Sequence, residues 1–196
     1  MKLIVTPRLL IRDFMPQDDE ELYEYLSDPE VTRFEPYEPF SREKARFEAR
    51  ARALNGSFRA MALIDPEVPG HLRAPGVHEC EPMRLGRLIG NLYVEPGPFD
   101  SYELGYVFNR AFWGHGYACE SARALMGELF RGGAHRIYAE CATGNERSWR
   151  LMERLGMRRE GLKRSCVAFR RDGEGRPIWW DAYMYAILRD EWREGQ

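Results

Sequence analysis

The chain has 196 residues, of which 44% are hydrophobic and 31% are charged, and its formal net charge is -2. This length fits one domain with a sizeable core, so residues 1–196 are interpreted as a single domain. The balanced charge gives no reason to expect nucleic acid or an acidic membrane as a partner, and no apolar run is long enough to span a bilayer. The N-terminal apolar run is too short for a signal peptide, and the four cysteines lack the paired spacing of a zinc site. We therefore expect a cytoplasmic protein without a metal ion.

Apolar periodicity and turn residues predict an alternation of strands and helices along the chain. Strands are predicted at 3–13, 57–65, 84–95, 101–109, 135–143, 158–171 and 178–188, and helices at 16–28, 41–56, 116–130 and 144–157. Residues 66–82 contain four prolines and two glycines, which predicts a loop insertion between two strands. Because antiparallel hairpins are mixed with strand–helix–strand connections, the fold class is predicted to be α+β (mixed α/β).

Capping residues support four of these helix boundaries. Ser41 precedes the second helix and Asn55-Gly56 follows it, so this helix is expected to be capped at both ends. Asn145 suits the N-cap of the last helix, and Gly156 suits the position directly after its end.

The segment "FWGHGYACES" at residues 112–121 places Gly114 and Gly116 directly before a predicted helix. The first N–H groups of a helix have no internal partner, and glycine lets a phosphate approach the backbone closely. An ordinary tight turn before a helix is the alternative. The third glycine of a dinucleotide-binding motif and the Gly-Lys-Ser/Thr ending of a P-loop are both missing. A phosphate site here therefore requires another strand–loop–helix design.

Four segments, in order, carry a resemblance to a known family. The run "YELGYVFNRAFWGHGYACESARALMGELF" resembles the acetyl-CoA-binding core of the GNAT N-acetyltransferases, and "NERSWRLMERLGMRREG" resembles their second signature. The segments "TPRLLIRDF" and "WDAYMYAILRDEW" are similar to the Rim-type branch, which contains ribosomal-protein N-acetyltransferases and relatives with small-molecule substrates. The resemblance implies a GNAT fold, with a central, mostly antiparallel twisted sheet flanked by helices. The loop at 66–82 is longer than this branch usually carries.

The resemblance also implies where acetyl-CoA binds as co-substrate. The pyrophosphate would lie on backbone N–H groups of the segment Trp113, Gly114, His115, Gly116, Tyr117 and Ala118. The acetyl carbonyl would be held near Val107 and Phe108, where the strand would separate from its neighbour and free an N–H group. Asn145 would bond the pantetheine arm or the adjacent backbone, and this role is compatible with a helix N-cap.

Three residues are candidates for proton transfer. By resemblance, Ser148 would approach the CoA sulfur and assist the departing thiolate, unless it is an ordinary helix serine. Glu103 could act as the base directly or through a water molecule, and Asp181 is its rival. Glu103 could equally be a surface glutamate of its strand.

The segment between the first two helices is the predicted acceptor site. It brings Phe34 and Tyr37 together with Glu35 and Glu38, and aromatic rings beside carboxylates suit a cationic amine. A solvated linker is the alternative. The predicted reaction is direct attack of a primary amine on acetyl-CoA in a ternary complex, because no cysteine lies in a motif typical of an acyl-enzyme. The acceptor could be a protein N-terminal α-amino group or a small molecule such as an antibiotic, a polyamine or an amino acid. A non-catalytic acyl-CoA-binding module and a homo-oligomer are further alternatives.

Overall fold

The structure is a computed structural model that describes residues 3–64 and 86–193. The predicted loop at 66–82 lies outside the described residues. Its strands are β1 (Ile4–Val5), β2 (Leu9–Asp13), β3 (Phe58–Leu63), β4 (Leu88–Pro96), β5 (Ser101–Phe108), β6 (Arg136–Ala142), β7 (Arg158–Arg171) and β8 (Pro177–Leu188). Its helices are α1 (Asp19–Leu26), α2 (Arg42–Leu54), α3 (Tyr117–Arg131) and α4 (Glu146–Arg154).

The strands form one eight-stranded sheet in the order β1-β2-β3-β4-β5-β6-β8-β7. Neighbouring strands are antiparallel, with the exception of β5 and β6, which pair in parallel. The predicted α+β class, with a mostly antiparallel sheet, is therefore confirmed. In the part of the chain that the structure describes, no helix is long and apolar enough to cross a membrane.

The single strand predicted at residues 3–13 is wrong, because this segment folds as a hairpin. β1 and β2 pair with Ile4 opposite Ile11 and Val5 opposite Leu10. The Thr6 hydroxyl accepts the Leu9 N–H at 2.9 Å, and the Thr6 N–H donates to the Leu9 carbonyl at 2.9 Å. Pro7 has no N–H to donate to a strand partner, so strand pairing is interrupted at this position. Because proline also favours turns, the chain reverses here.

Helix capping follows the sequence closely, with one difference. The Ser41 hydroxyl accepts the Lys44 N–H at 3.1 Å and begins α2, and Gly156 has φ 84° just after α4. The cap predicted at Asn55-Gly56 forms at Asn55, without a left-handed residue. Asn55 is extended, and its side-chain oxygen accepts the Ser57 N–H at 3.0 Å, so an Asx turn carries the chain into β3.

Two apolar clusters cover the two faces of the sheet. Leu104 and Phe108 of β5 face the cluster that contains buried side chains of α3 and α4. Val107, which points to the opposite face, belongs to the cluster with buried side chains of α1 and α2. Because side chains alternate along a strand, β5 contributes side chains to both cores. The position of a site residue along β5 therefore shows which face of the sheet its side chain occupies.

Candidate active site

The central feature is a gap between β5 and β6, which we call the strand gap. The two strands pair through three residue pairs that end at Glu103 and Tyr138. Both strands continue beyond this point, so residues 104–108 of β5 pair with β4 alone. The resemblance placed this separation at Val107 and Phe108, and it begins directly after Glu103.

Backbone groups of β5 point into the strand gap. Asn109 donates its N–H to the Ile89 carbonyl at 2.8 Å, and the register is unbroken from Gly90–Phe108 to Pro96–Tyr102. Since hydrogen-bonded and non-hydrogen-bonded pairs alternate in an antiparallel ladder, the N–H and C=O of Phe108 point away from β4. The Trp113 indole N–H donates to the Phe108 carbonyl at 2.9 Å, which agrees with that direction. The Phe108 N–H is thus directed at the place where a carbonyl oxygen could be polarised.

A glycine loop lies beside the strand gap, at the start of α3. Gly114 and Gly116 have φ of 81° and 82°, which L side chains rarely adopt, and Gly116 is the N-cap of α3. The His115 ring is folded back, with Nδ1 2.9 Å from the Trp113 carbonyl and the ring stacked on Tyr117. Both glycines are exposed, so the backbone of this corner is accessible to an anion.

Arg8 fastens this loop and was missed by the sequence analysis. Its guanidinium donates to the His115 carbonyl at 3.0 Å and to Glu120 at 2.7 Å, and it lies 4.5 Å from the Tyr117 ring centre. The segment "TPRLLIRDF" contains this arginine, but 107 residues separate it from His115. No local pattern connects the two.

Ser148 lies on the face of the sheet that α3 and α4 cover. Asn145 caps α4 by accepting the Ser148 N–H at 3.4 Å. The Tyr106 hydroxyl is 3.0 Å from the Ser148 hydroxyl and also donates to the Ser148 carbonyl at 3.0 Å. Burial raises the pKa of the nearby Cys141 thiol to about 11, while its hydrogen bond with Ser148 opposes this shift. Ser148 of α4 is therefore held by uncharged side chains, those of Tyr106 from β5 and Cys141 from β6.

The two predicted bases have different surroundings. Glu103 shares the Val107 face, and burial followed by the charge of Glu140 raises its pKa. It lies four residues before Val107, or about 13 Å along an extended strand, so proton transfer from an amine near Val107 would need intervening water. The Asp181 carboxylate accepts the Ser165 N–H at 2.7 Å, where Ser165 has φ 44°. This bond gives Asp181 a role in holding the irregular β7.

The predicted acceptor segment, residues 32–44, contacts the C-terminal ends of the strands that border the strand gap. Phe40 shares an apolar cluster with Val107 of β5, and the Phe34 ring lies 3.8 Å from the position of an added Cβ at Gly144, just after β6. The Arg170 guanidinium donates to the carbonyls of Thr32 at 2.6 Å, Glu35 at 3.2 Å and Tyr37 at 3.2 Å. Phe34 stacks edge-on against Trp180 of β8 with ring centres 5.6 Å apart. The structure thus fixes the predicted acceptor residues Phe34, Glu35 and Tyr37 in a defined loop. Glu38 is the exposed member, 3.6 Å from Arg170.

Comparisons with known proteins agree with this geometry. The family model described as "Acetyltransferase (GNAT) domain" matches residues 8–158. The chain is 34% identical to "Uncharacterized N-acetyltransferase YnaD" of Bacillus subtilis (strain 168) over 96% of this chain and 98% of that protein. It is 26% identical to "[Ribosomal protein uS5]-alanine N-acetyltransferase" of Escherichia coli (strain K12), over 98% and 94% of the two chains. The crystal structure of an acetyltransferase (GNAT family) from Bacillus anthracis superposes with a TM-score of 0.78 at 32% identity, covering 96% of this chain and 99% of that one.

Proposed function

Because the chain belongs to the acetyltransferase (GNAT) family, we propose that it transfers acetyl from acetyl-CoA to a primary amine by direct attack in a ternary complex. The observation that carries this proposal is the strand gap, with the glycine loop at one side and the acceptor segment, residues 32–44, in contact with the C-terminal ends of its strands. Acetyl-CoA at the glycine loop and an amine at the acceptor segment would then approach the Phe108 N–H from separate directions. A covalent acetyl-enzyme is then unnecessary.

Different groups of the chain would bind the cofactor, polarise the acetyl carbonyl and transfer protons. Backbone N–H groups of residues 113–118 would hold the pyrophosphate, and the Phe108 N–H would polarise the acetyl carbonyl as charge develops on its oxygen. The neutral amine attacks the carbonyl carbon, the C–S bond breaks, and Ser148 would supply a hydrogen bond or a proton to the thiolate. Asn145 would orient the start of α4 beside the pantetheine arm. Glu103, through water, and Asp181 are the bases that we proposed from the sequence.

The acceptor that we favour is a protein N-terminal α-amino group. This choice is supported by the relative named as an alanine N-acetyltransferase of ribosomal protein uS5, at 26% identity. The aromatic rings of Phe34, Tyr37 and Trp180 at the end of the strand gap fit a small alkylamine as well. A small-molecule amine is therefore the second candidate.

A steady-state experiment tests the ternary complex. Release of the CoA thiol is followed while acetyl-CoA and an amine are both varied, using alanine-initiated hexapeptides and 1,4-diaminobutane as acceptors. We expect double-reciprocal lines that intersect, because both substrates must be bound before thiol is released. Parallel lines would indicate ping-pong kinetics and a covalent intermediate, which would contradict direct attack. Absence of turnover with every amine would contradict the proposed function itself.

A further inference from the structure

The turn between β1 and β2 is joined to the start of α3 by the carboxylate of Glu120. Its Oε1 accepts the Thr6 hydroxyl at 2.6 Å and the Arg8 backbone N–H at 3.1 Å. Its Oε2 accepts Nε of Arg8 at 2.7 Å and Nη2 at 2.6 Å. The Glu120 side chain is only 17% exposed, so protein donors satisfy both oxygens and the carboxylate holds the Arg8 guanidinium in one orientation.

The third guanidinium nitrogen of Arg8 reaches the glycine loop. Nη1 donates to the His115 carbonyl at 3.0 Å. Nη2 lies 3.5 Å from the position of an added Cβ at Gly116, and the guanidinium lies 4.5 Å from the centre of the Tyr117 ring. All three nitrogens of Arg8 are thus engaged, and one of them binds the backbone between the two glycines.

The bond to the His115 carbonyl sets the direction of the Gly116 N–H. The peptide that joins these two residues is trans, and in a planar trans peptide the C=O and the N–H point in opposite directions. Because Arg8 binds the carbonyl, the N–H is directed away from the β1–β2 turn. Within residues 3–64 and 86–193 no group accepts this N–H, and Gly116 is exposed, so an anion can reach it.

The backbone of the glycine loop does not fix this direction by itself. Gly116 has φ 82°, and glycine adopts positive and negative φ about equally well, so the 115–116 peptide could rotate and present its carbonyl to the anion instead. The partial negative charge of a carbonyl oxygen would repel a phosphate. A side chain that binds the carbonyl removes this alternative before the anion binds.

We propose that Arg8 is a positioning residue for acetyl-CoA and that Glu120 acts through Arg8. Arg8 keeps the Gly116 N–H turned towards the pyrophosphate, and its positive charge polarises the 115–116 peptide, which makes this N–H a stronger donor. Glu120 holds Arg8 in place without contacting the cofactor. This assignment rests on the proposed function, in which the pyrophosphate binds at residues 113–118.

The Arg8→Gln variant tests this role through cofactor binding and kinetics. We expect the dissociation constant of CoA, measured by calorimetry, and the KM for acetyl-CoA to rise about 10- to 100-fold, as for loss of a hydrogen bond to a charged group. Turnover at saturating acetyl-CoA should stay within about twofold of the wild type, because the lost interaction is the same in the ground state and the transition state. Arg8→Lys keeps the charge but has a single nitrogen, so it should be impaired as well.

The Glu120→Ala variant separates anchoring from simple charge by the sign of its effect. If Glu120 acts only as a negative charge near the anion site, its removal should tighten CoA binding. If it holds Arg8, its removal should weaken CoA binding by about 3- to 30-fold, and adding Arg8→Gln should then have little further effect.

A matched variant controls for the loss of an exposed arginine. Arg158 of β7 pairs with Glu191, in the turn after β8, at 2.6 Å. Arg158→Gln breaks this comparable pair between two elements and should bind CoA like the wild type. Thermal unfolding establishes that each variant is folded before binding is measured.

Direct binding of the 3′-phosphate of CoA by Arg8 is the other way in which Arg8→Gln could lose affinity. 3′-Dephospho-CoA lacks this phosphate and retains the pyrophosphate. We therefore expect the same fold loss with CoA and with 3′-dephospho-CoA. A loss confined to CoA would overturn the positioning role.

The remaining outcomes distinguish this assignment from the proposed function. An unchanged dissociation constant in folded Arg8→Gln, or tighter binding in Glu120→Ala, would overturn the assignment and leave acetyl transfer standing. CoA binding that depends on Arg8, in a wild type that acetylates none of the amines, would support the assignment and overturn the proposed function. Absence of CoA binding by the wild type would overturn both.

Discussion

Replacing Gly116 with valine should raise the KM for acetyl-CoA sharply and leave the KM for the amine unchanged. Gly116 has φ 82°, and its added Cβ would meet only the Arg8 guanidinium at 3.5 Å. Space is therefore available, and the obstacle is the backbone angle, which a β-branched residue adopts at a cost of about 1–3 kcal/mol. The free loop can relax to avoid this strain, but binding of the pyrophosphate would impose it again. We expect an increase in KM of roughly 5- to 100-fold.

A second glycine provides the control for this variant. Gly161 lies in β7 with an ordinary φ and no atom within 4 Å of an added Cβ. Gly161→Val should therefore retain the wild-type KM for acetyl-CoA. Both proteins are compared by circular dichroism and thermal unfolding before kinetics. Unchanged acetyl-CoA kinetics in folded Gly116→Val would show that the pyrophosphate binds elsewhere.

Loss of the Ser148 hydroxyl should reduce turnover far more than it reduces affinity for acetyl-CoA. If Ser148 stabilises the departing thiolate, Ser148→Ala removes an interaction that matters mainly in the transition state. The expected fall in kcat is about one to four powers of ten. The dissociation constant of acetyl-CoA, measured by calorimetry, should remain near the wild-type value. Alanine is a better helix former than serine, so α4 should remain intact.

Tyr106→Phe is the matched variant for Ser148. It removes the hydroxyl that lies 3.0 Å from the Ser148 hydroxyl but keeps the ring and leaves Ser148 in place. We expect a smaller fall in kcat than for Ser148→Ala, and no additional fall when both changes are combined, because Tyr106 would act through Ser148. Wild-type turnover in Ser148→Ala would make Ser148 an ordinary helix residue.

The sequence predicted the local structure and missed what depends on distant pairing. Helix boundaries could be predicted at Ser41, Asn145 and Gly156, because capping depends on residues that are close together in the sequence. The reversal at Thr6-Pro7 was visible, yet the pattern of apolar residues on both sides favoured one continuous strand.

Long-range features of the site have no comparable signal. Arg8 reaches Glu120 across 112 residues, and the Tyr25 hydroxyl reaches Asn91 across 66. The aromatic and acidic composition of residues 34–38 indicated an acceptor segment. It could not show that the carbonyls of Thr32, Glu35 and Tyr37 would be bound by Arg170, because this arginine comes from β7. These arrangements emerge only when the sheet order is known.

Along the strand gap, β5 has one unpaired edge, although it lies in the interior of the sheet. Along residues 104–108, alternate amides should behave differently in hydrogen–deuterium exchange, since Val107 donates towards β4 while Tyr106 and Phe108 point into the opening. Slowly exchanging and rapidly exchanging amides would therefore alternate along this one strand. Unpaired edges normally invite another chain to add a strand. Here the neighbouring halves of the same sheet enclose the unsatisfied edge, so the protein keeps a row of available backbone donors without exposing them to aggregation.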